Sequence, residues 1–243
     1  MLRKSLCGVV LVLALGWAAR GGEKIKVVVV TGGHGFNAKA FYSLFEGYDD
    51  IEFVRAPQKD HSELFEDVSN WPYDVIVLYN MTQRISDKRR SNFVALLKKG
   101  VGLVVLHHAL AAFQNWPEFK KIVGGKYYLR PTVEDGVNHP RSAYKHGVRF
   151  KVKVADPKHP VTAGIGDFEI HDETYRGYFV DPSVHVLLTT DEPSSGKVLA
   201  WVKTYENARV CYIQLGHDAN AYSNPAYRKF IYQAIRWAAG HSR

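Results

Sequence analysis

Apolar residues recur along this chain in two rhythms, and the alternation between them predicts the fold. Runs such as Val27-Val28-Val29-Val30 and Val75-Ile76-Val77-Leu78 are continuous, which fits strands buried on both faces of a parallel sheet. Between such runs the apolar positions spread out to helical spacing. The first half reads as strand 25–31, helix 37–46, strand 51–55, a short helix from Ser62, strand 75–79, helix 87–98 and strand 101–107, with Gly100 just past a helix end. That order is a doubly wound α/β pattern. The second half is richer in strands, at 148–154, 168–175, 185–190, 197–203 and 209–215, before an amphipathic helix over 225–239. Antiparallel strands are expected to extend the sheet there. The stretch 126–145, containing Pro131, Gly136 and Pro140, reads as a long surface excursion near the site.

The first residues are set apart by composition. Arg3-Lys4, the apolar stretch 6–15 and the small residues Gly16, Ala18 and Ala19 read as a secretory signal peptide over 1–19, leaving one domain over 20–243. The apolar run is shorter than the roughly 20 residues that span a bilayer, so no stable membrane insertion is expected after cleavage. A secreted or periplasmic location follows. Loss of the leader removes Cys7 and leaves Cys211 alone, so the mature fold is expected to hold by its core and not by a disulfide.

The formal charge of +8 changes the picture little, because Lys and Arg are interspersed with Asp and Glu. Clusters such as Lys88-Arg89-Arg90 and Lys98-Lys99 fall beside Phe93, Leu96 and Leu97 at helical spacing, which describes a solvated helix face. No nucleic-acid partner is expected.

Three strand ends deliver histidines to one sheet edge. Val27–Val30 runs into Thr31-Gly32-Gly33-His34, strand 101–106 into His107-His108, and strand 210–215 into Gly216-His217-Asp218. Ligands of open parallel sheets bind outside the carboxyl ends of the strands, so these imidazoles form one candidate site together with Asn80, which ends the strand 75–79. His107 and His217 are the candidate catalytic imidazoles. His108 alternates to the opposite face of His107, and His34 sits in a Gly-rich turn; both are assigned to substrate binding. The segment His171-Asp172-Glu173-Thr174-Tyr175 places two carboxylates and a phenol in an apolar context, where burial demands partners. By the period of two, His171, Glu173 and Tyr175 share a face and Asp172 takes the other. Glu173 is the candidate general base or metal ligand, Asp218 the second catalytic carboxylate and Tyr175 a substrate contact. His61, His139, His146, His185 and His241 default to surface or core.

Read in order, Val105-Leu106-His107-His108-Ala109, His159-Pro160, Asp172-Glu173-Thr174-Tyr175, Gly216-His217-Asp218, Asn224-Pro225 and Ile235-Arg236-Trp237-Ala238 resemble the ThuA-like (trehalose utilisation) family over nearly the whole mature chain. The resemblance implies a flavodoxin-like α/β fold similar to class I glutamine amidotransferases. It also implies a role in carbohydrate catabolism, on oxidised (3-keto) sugars or glycosides. The amidotransferase nucleophile, a Cys on a sharp strand-to-helix turn, is replaced here by Leu106-His107-His108-Ala109, so no glutaminase activity is expected. Cys211 lies inside a strand, and no Gly-x-Ser-x-Gly elbow is present.

Imidazoles with a carboxylate suit a divalent metal such as Zn²⁺, or metal-free proton transfer next to a ketone, in a hydrolase, lyase or isomerase. No close ligand pair in the sequence fixes a metal. Two rival readings compete. Gly33-His34-Gly35-Phe36-Asn37-Ala38 matches a dinucleotide-binding turn, but the next strand ends in Val54-Arg55 without the acidic residue that holds a ribose. A non-catalytic carbohydrate-binding domain could stack sugars on Phe36, Tyr79, Phe113, Trp116, Tyr127, Tyr128, Tyr175 and Tyr222.

Overall fold

A computed structural model describes residues 23–59, 61–134 and 136–241; the leader-like stretch 1–19 lies outside the described residues. In chain order the elements are β1 (Ile25–Gly32), α1 (Ala38–Tyr42), β2 (Ile51–Pro57), β3 (Val75–Asn80), α2 (Asp87–Lys98), β4 (Gly102–Leu106), α3 (Pro117–Val123), β5 (Gly125–Lys126), β6 (Thr132–Glu134) and β7 (Val137–His139). They continue with β8 (Ala143–Val154), β9 (Phe168–Arg176), β10 (Phe179–Val180), β11 (His185–Thr189), β12 (Val198–Tyr205), β13 (Ala208–Ile213), α4 (Ala219–Ser223) and α5 (Pro225–Ala238).

Nine strands form one sheet in the order β2-β1-β3-β4-β13-β12-β11-β8-β9. The five from β2 to β13 are parallel, and every pairing beyond β13 is antiparallel. Strand order reverses at β1, which makes the crevice between the ends of β1 and β3 the topological switch point. The continuous apolar runs are buried as their composition demands: all six residues of β3 and all five of β4 are buried. Val27, Val29, Val75, Val77, Val104 and Cys211 face one core with α5, while Val28, Val30, Ile76, Leu78, Val105 and Tyr212 face a second core beneath α2 and α3. Full burial of each of these valines and leucines contributes roughly 1.5–3 kcal/mol, an upper estimate. α5 begins with Pro225 at its first turn and Asn224 as its cap, whose side chain accepts from the Ala226 and Tyr227 amides.

Several expected elements are corrected. The helix predicted over 37–46 is the five-residue α1 followed by a 3₁₀ turn at Ser43–Phe45, with Asn37 as the cap outside it. The short helix from Ser62 is a 3₁₀ turn, Glu63–Phe65. β4 stops at Leu106, and His107–Ala111 coils into a 3₁₀ turn. The supposed surface excursion is more structured than its Pro and Gly content suggested: Lys126, Tyr127 and Tyr128 are buried, β6 and β7 form a hairpin, and 143–145 already belong to β8.

The β8–β9 hairpin matters most for function. β8 joins β11 through only two residue pairs, Leu188 with Val154 and Thr189 with Lys153. The long remainder of the hairpin is held to the sheet by its buried face, with Val148, Phe150, Val152 and Ile170 in the first core, and β9 packs against α4. Within the hairpin Lys145 pairs with Thr174 and Val148 with Asp172, so His146 and Gly147 together oppose Glu173. Such a bulge bends and twists the strand that carries it, and Gly147 at φ +65° takes the left-handed conformation that glycine adopts without strain. No helix among the described residues is long and apolar enough to cross a membrane.

Candidate functional site

His107 is the first residue beyond β4 and has φ +49°, the left-handed region that costs a residue with a Cβ about 1 kcal/mol or more. It is held there on every side. Its ring is fully buried, Tyr212 Oη donates to its carbonyl at 3.2 Å, and its Nδ1 lies 2.6 Å from the Gln214 carbonyl. A carbonyl only accepts, so Nδ1 carries the proton and the Nε2 lone pair is turned into the site. That is a strained strand-to-helix turn presenting one reactive atom.

Three groups converge on this lone pair. Tyr175 Oη donates to Nε2 at 2.8 Å, His217 Nδ1 lies 3.3 Å away and Glu173 Oε1 3.5 Å away. Glu173 Oε2 is 3.5 Å from His217 Nδ1 and 2.5 Å from His146 Nδ1. Burial raises the Glu173 carboxyl, but His107 and then His217 and His146 outweigh it and leave it below its ordinary range, hence ionised at neutral pH. Burial, then the proximity of His107, lowers His217. Burial pushes the Tyr175 phenol well up, so it acts as a donor.

The hairpin and the strand ends are tied by two residues that sequence reasoning did not assign to the site. Asp172, buried on the face opposite Glu173, accepts from the backbone amides of Gly216 at 2.7 Å and His217 at 2.9 Å, and from Glu173 at 2.8 Å. Burial raises its carboxyl, and His107 and these amides pull against that. The carboxylate thereby fixes the loop that carries His217. Gln214 holds His107 through its carbonyl and donates from Nε2 to the Glu173 carbonyl at 3.1 Å. The third unassigned residue is His146, expected to be surface or core, which lies against Glu173 at the rim. The one sequence signal for it was Gly147, because an isolated glycine in an alternating strand marks a bulge.

The other predicted residues fall into different places. Asp218 is the N-cap of α4, its carboxylate accepting from the Asn220 and Ala221 amides, so it stands apart from the imidazole cluster. His108 is buried; desolvation and then His107 hold it well below its ordinary range, and its ring stacks on His34 at 4.4 Å between centroids. His34 is exposed, with Nδ1 directed at the Gly35 carbonyl. Asn80 lies in register with Gly32 at the switch point, buried, with neither amide atom hydrogen-bonded.

Packing accounts for some of the residues behind the rival readings. The helix opened by Gly33-His34-Gly35 has five residues, and the Asn37 side chain already accepts from the Ala40 amide there. Gly33 is explained by packing: a Cβ would lie 2.7 Å from Met81 C and 2.8 Å from Thr82 N. Of the proposed stacking aromatics, Tyr79, Phe113, Tyr128 and Tyr222 are core residues. Cys211 is buried in β13, where desolvation raises its thiol far above neutrality.

The trehalose-utilisation model of the ThuA family matches residues 26–238, which takes in every element that builds this site. The chain belongs to the ThuA family. No functionally curated protein matches it. Among solved structures, this ThuA protein is similar to a ThuA-like protein of Parabacteroides merdae, with TM-score 0.77, 21% identity and 90% of this chain covered against 91% of that one. It is also similar to a ThuA-like protein of Bacteroides uniformis, at TM-score 0.67 and 21% identity over 94% and 97% of the two chains. A β-galactosidase of Bacillus circulans contains a similar region, at TM-score 0.57 and 11% identity over 88% of this chain and 31% of that one. At these identities the likeness is one of fold. The ThuA fold accordingly matches the mixed α/β architecture with an antiparallel extension expected from the sequence.

Proposed function

We propose that this protein is an exported enzyme of carbohydrate catabolism that acts on an oxidised sugar or 3-keto-glycoside by proton transfer, and not a glutaminase. The observation that carries the reading is the convergence of a buried, strained His107 lone pair on Glu173, His217 and Tyr175. A ketone makes the hydrogen on the neighbouring carbon acidic. A base removes that proton, the electron pair passes into an enediolate, and a donor neutralises the developing charge on oxygen. Return of the proton to the other carbon isomerises the sugar. Expulsion of the substituent on the far side of the enediolate eliminates the aglycone, and addition of water then completes a hydrolysis. Each outcome needs one acceptor and one donor within a few ångströms, and the cluster holds a carboxylate kept below its ordinary range, the His217 imidazole lowered by burial and a phenol pushed well up. Export is part of the proposal and rests on the leader-like composition of 1–19.

The test incubates wild type, His107→Ala and His217→Ala with a panel of 3-keto-glycosides and their parent glycosides, with products followed by mass spectrometry. Turnover by wild type is expected only on the oxidised sugars, with each substitution lowering it by roughly 10²–10⁴-fold. A wild type that binds members of the panel and converts none of them would replace the enzyme with a carbohydrate-binding domain.

A further inference from the structure

Glu173 is a carboxylate in an awkward place. It is 4% exposed, and among the described residues its ion-pair partners are the imidazoles of His107, His146 and His217, with no lysine or arginine. A buried carboxylate whose ion-pair partners are all imidazoles has the nitrogen and oxygen donor set of a cation site.

The donor separations point to the kind of cation. His107 Nε2 to His217 Nδ1 is 3.3 Å, His107 Nε2 to Glu173 Oε1 is 3.5 Å and His217 Nδ1 to Glu173 Oε2 is 3.5 Å. A tetrahedral ion with bonds of about 2.0–2.1 Å has ligand-to-ligand edges of about 3.3–3.4 Å. The two nitrogens already stand one such edge apart and each imidazole has one carboxylate oxygen at about that distance, so a small rotation of the Glu173 carboxylate completes the face; one ligand atom from each of the three residues already lies within 4.8 Å of the others. His107 also has the outer contact usual for a metal-bound imidazole, with its second nitrogen donating to a backbone carbonyl, that of Gln214. The His217 loop is fixed by Asp172.

We propose that His107 Nε2, His217 Nδ1 and the Glu173 carboxylate form a three-ligand site for a divalent cation of the zinc class, with the fourth position left to water or substrate. Two nitrogens and one oxygen favour Zn²⁺ or Co²⁺ over Mg²⁺ and Ca²⁺, which prefer oxygen alone. His146, 58% exposed at the rim, orients the Glu173 carboxylate through Oε2. Tyr175 donates to the same lone pair and would yield it to the ion. A bound ion would polarise a ketone oxygen or activate water, leaving His146 and Tyr175 for proton transfer. The site shares its residues with the function proposed above, and the chemistry assigned to the ion rests on that reading; binding itself stands on donor geometry alone.

The test is a titration of the chelator-treated full chain with Zn²⁺ by calorimetry and with Co²⁺ by visible absorption. One equivalent per chain is expected, with the intense spectrum of tetrahedral Co²⁺. His217→Ala and Glu173→Gln should each weaken binding by more than about 100-fold, and His146→Ala by roughly 10–100-fold as an outer-shell partner. Thermal unfolding of each variant confirms that the fold survives; His217 is only partly buried, so its substitution keeps the test valid if Glu173→Gln does not fold. Binding below one equivalent, a weak octahedral spectrum, or affinity unchanged in His217→Ala would overturn the site. Turnover of a keto-sugar by protein that binds no Zn²⁺ would overturn the metal alone, and stoichiometric Zn²⁺ without turnover would overturn the enzymatic reading alone.

Discussion

The parallel strands and the β8–β9 hairpin reach the same pocket by opposite means. β4 and β13 are buried along their lengths, so the residues just beyond them, His107 and His217, are delivered by a scaffold that cannot shift without disturbing both cores. The hairpin is joined to β11 by two residue pairs and is held instead by one buried face, with Val148, Phe150, Val152 and Ile170 in the first core, and it brings Glu173, Tyr175 and His146 across the strand ends from the last position in the sheet. His107 and His217 come from the parallel strands, and Glu173 with His146 from the hairpin. The lesson is that beyond the shared core the two are tied at the site by Asp172 and Gln214, whose hydrogen bonds cross from β9 to the β13 loop.

The largest expected effect comes from removing what the hairpin alone supplies. Glu173→Gln keeps shape and loses charge, and turnover should fall by roughly 10²–10⁴-fold with the unfolding midpoint little changed. Residual activity within tenfold of wild type would mean that the strand ends suffice without the hairpin. Next is the tie between the halves. Asp172→Asn turns an amide NH₂ toward a backbone N–H, leaving a buried donor unsatisfied, so urea unfolding should register a loss of about 1–3 kcal/mol. Turnover should drop as well, because His217 loses its fixed position; full activity with full stability would show that Asp172 does not couple the regions.

A smaller effect tests how the segment before the hairpin is anchored. Glu134 is partly buried, and the Lys126 and Lys120 ammoniums outweigh that desolvation to bring its carboxyl down to about 2 from 4.5. A depressed folded-state value means stability that is present above pH 4.5 and lost as pH falls toward 2. Glu134→Gln should remove about 1–2 kcal/mol of that acid dependence. Thermal melts across this range check it, and identical pH profiles for variant and wild type would contradict the pairing. The smallest effect belongs to the core of the rigid half: Cys211→Ala should leave turnover within about twofold, and thiol reagents should not inactivate the native protein, since the buried thiol presents no thiolate. Rapid inactivation prevented by substrate would reverse that assignment.

Much of the scaffold was legible from residue pattern. The continuous apolar runs at 27–30 and 75–78 fit strands buried on both faces, and the placement of His34, Asn80, His107 and His217 at or beyond strand ends follows from connectivity once the strands are known. Alternation also put Glu173 and Tyr175 on one face and Asp172 on the other, as the contacts of β9 have them. The capping of α4 by Asp218 was not legible, because a sequence cannot distinguish a carboxylate that satisfies local amides from a free one.

The sequence by itself determined the parallel strands, the cores on both their faces and the edge at which histidines would gather, because burial and period are local properties of the chain. Tertiary structure alone decided the rest. That His146 touches Glu173 depends on a bulge that opposes two residues to one, and that β9 reaches β4 and β13 at all depends on a hairpin barely paired to its neighbour. The lone pair of His107 points inward because a carbonyl more than a hundred residues away fixes its other nitrogen. Contacts between such distant segments are set by how whole elements pack, and no periodicity within either segment records them.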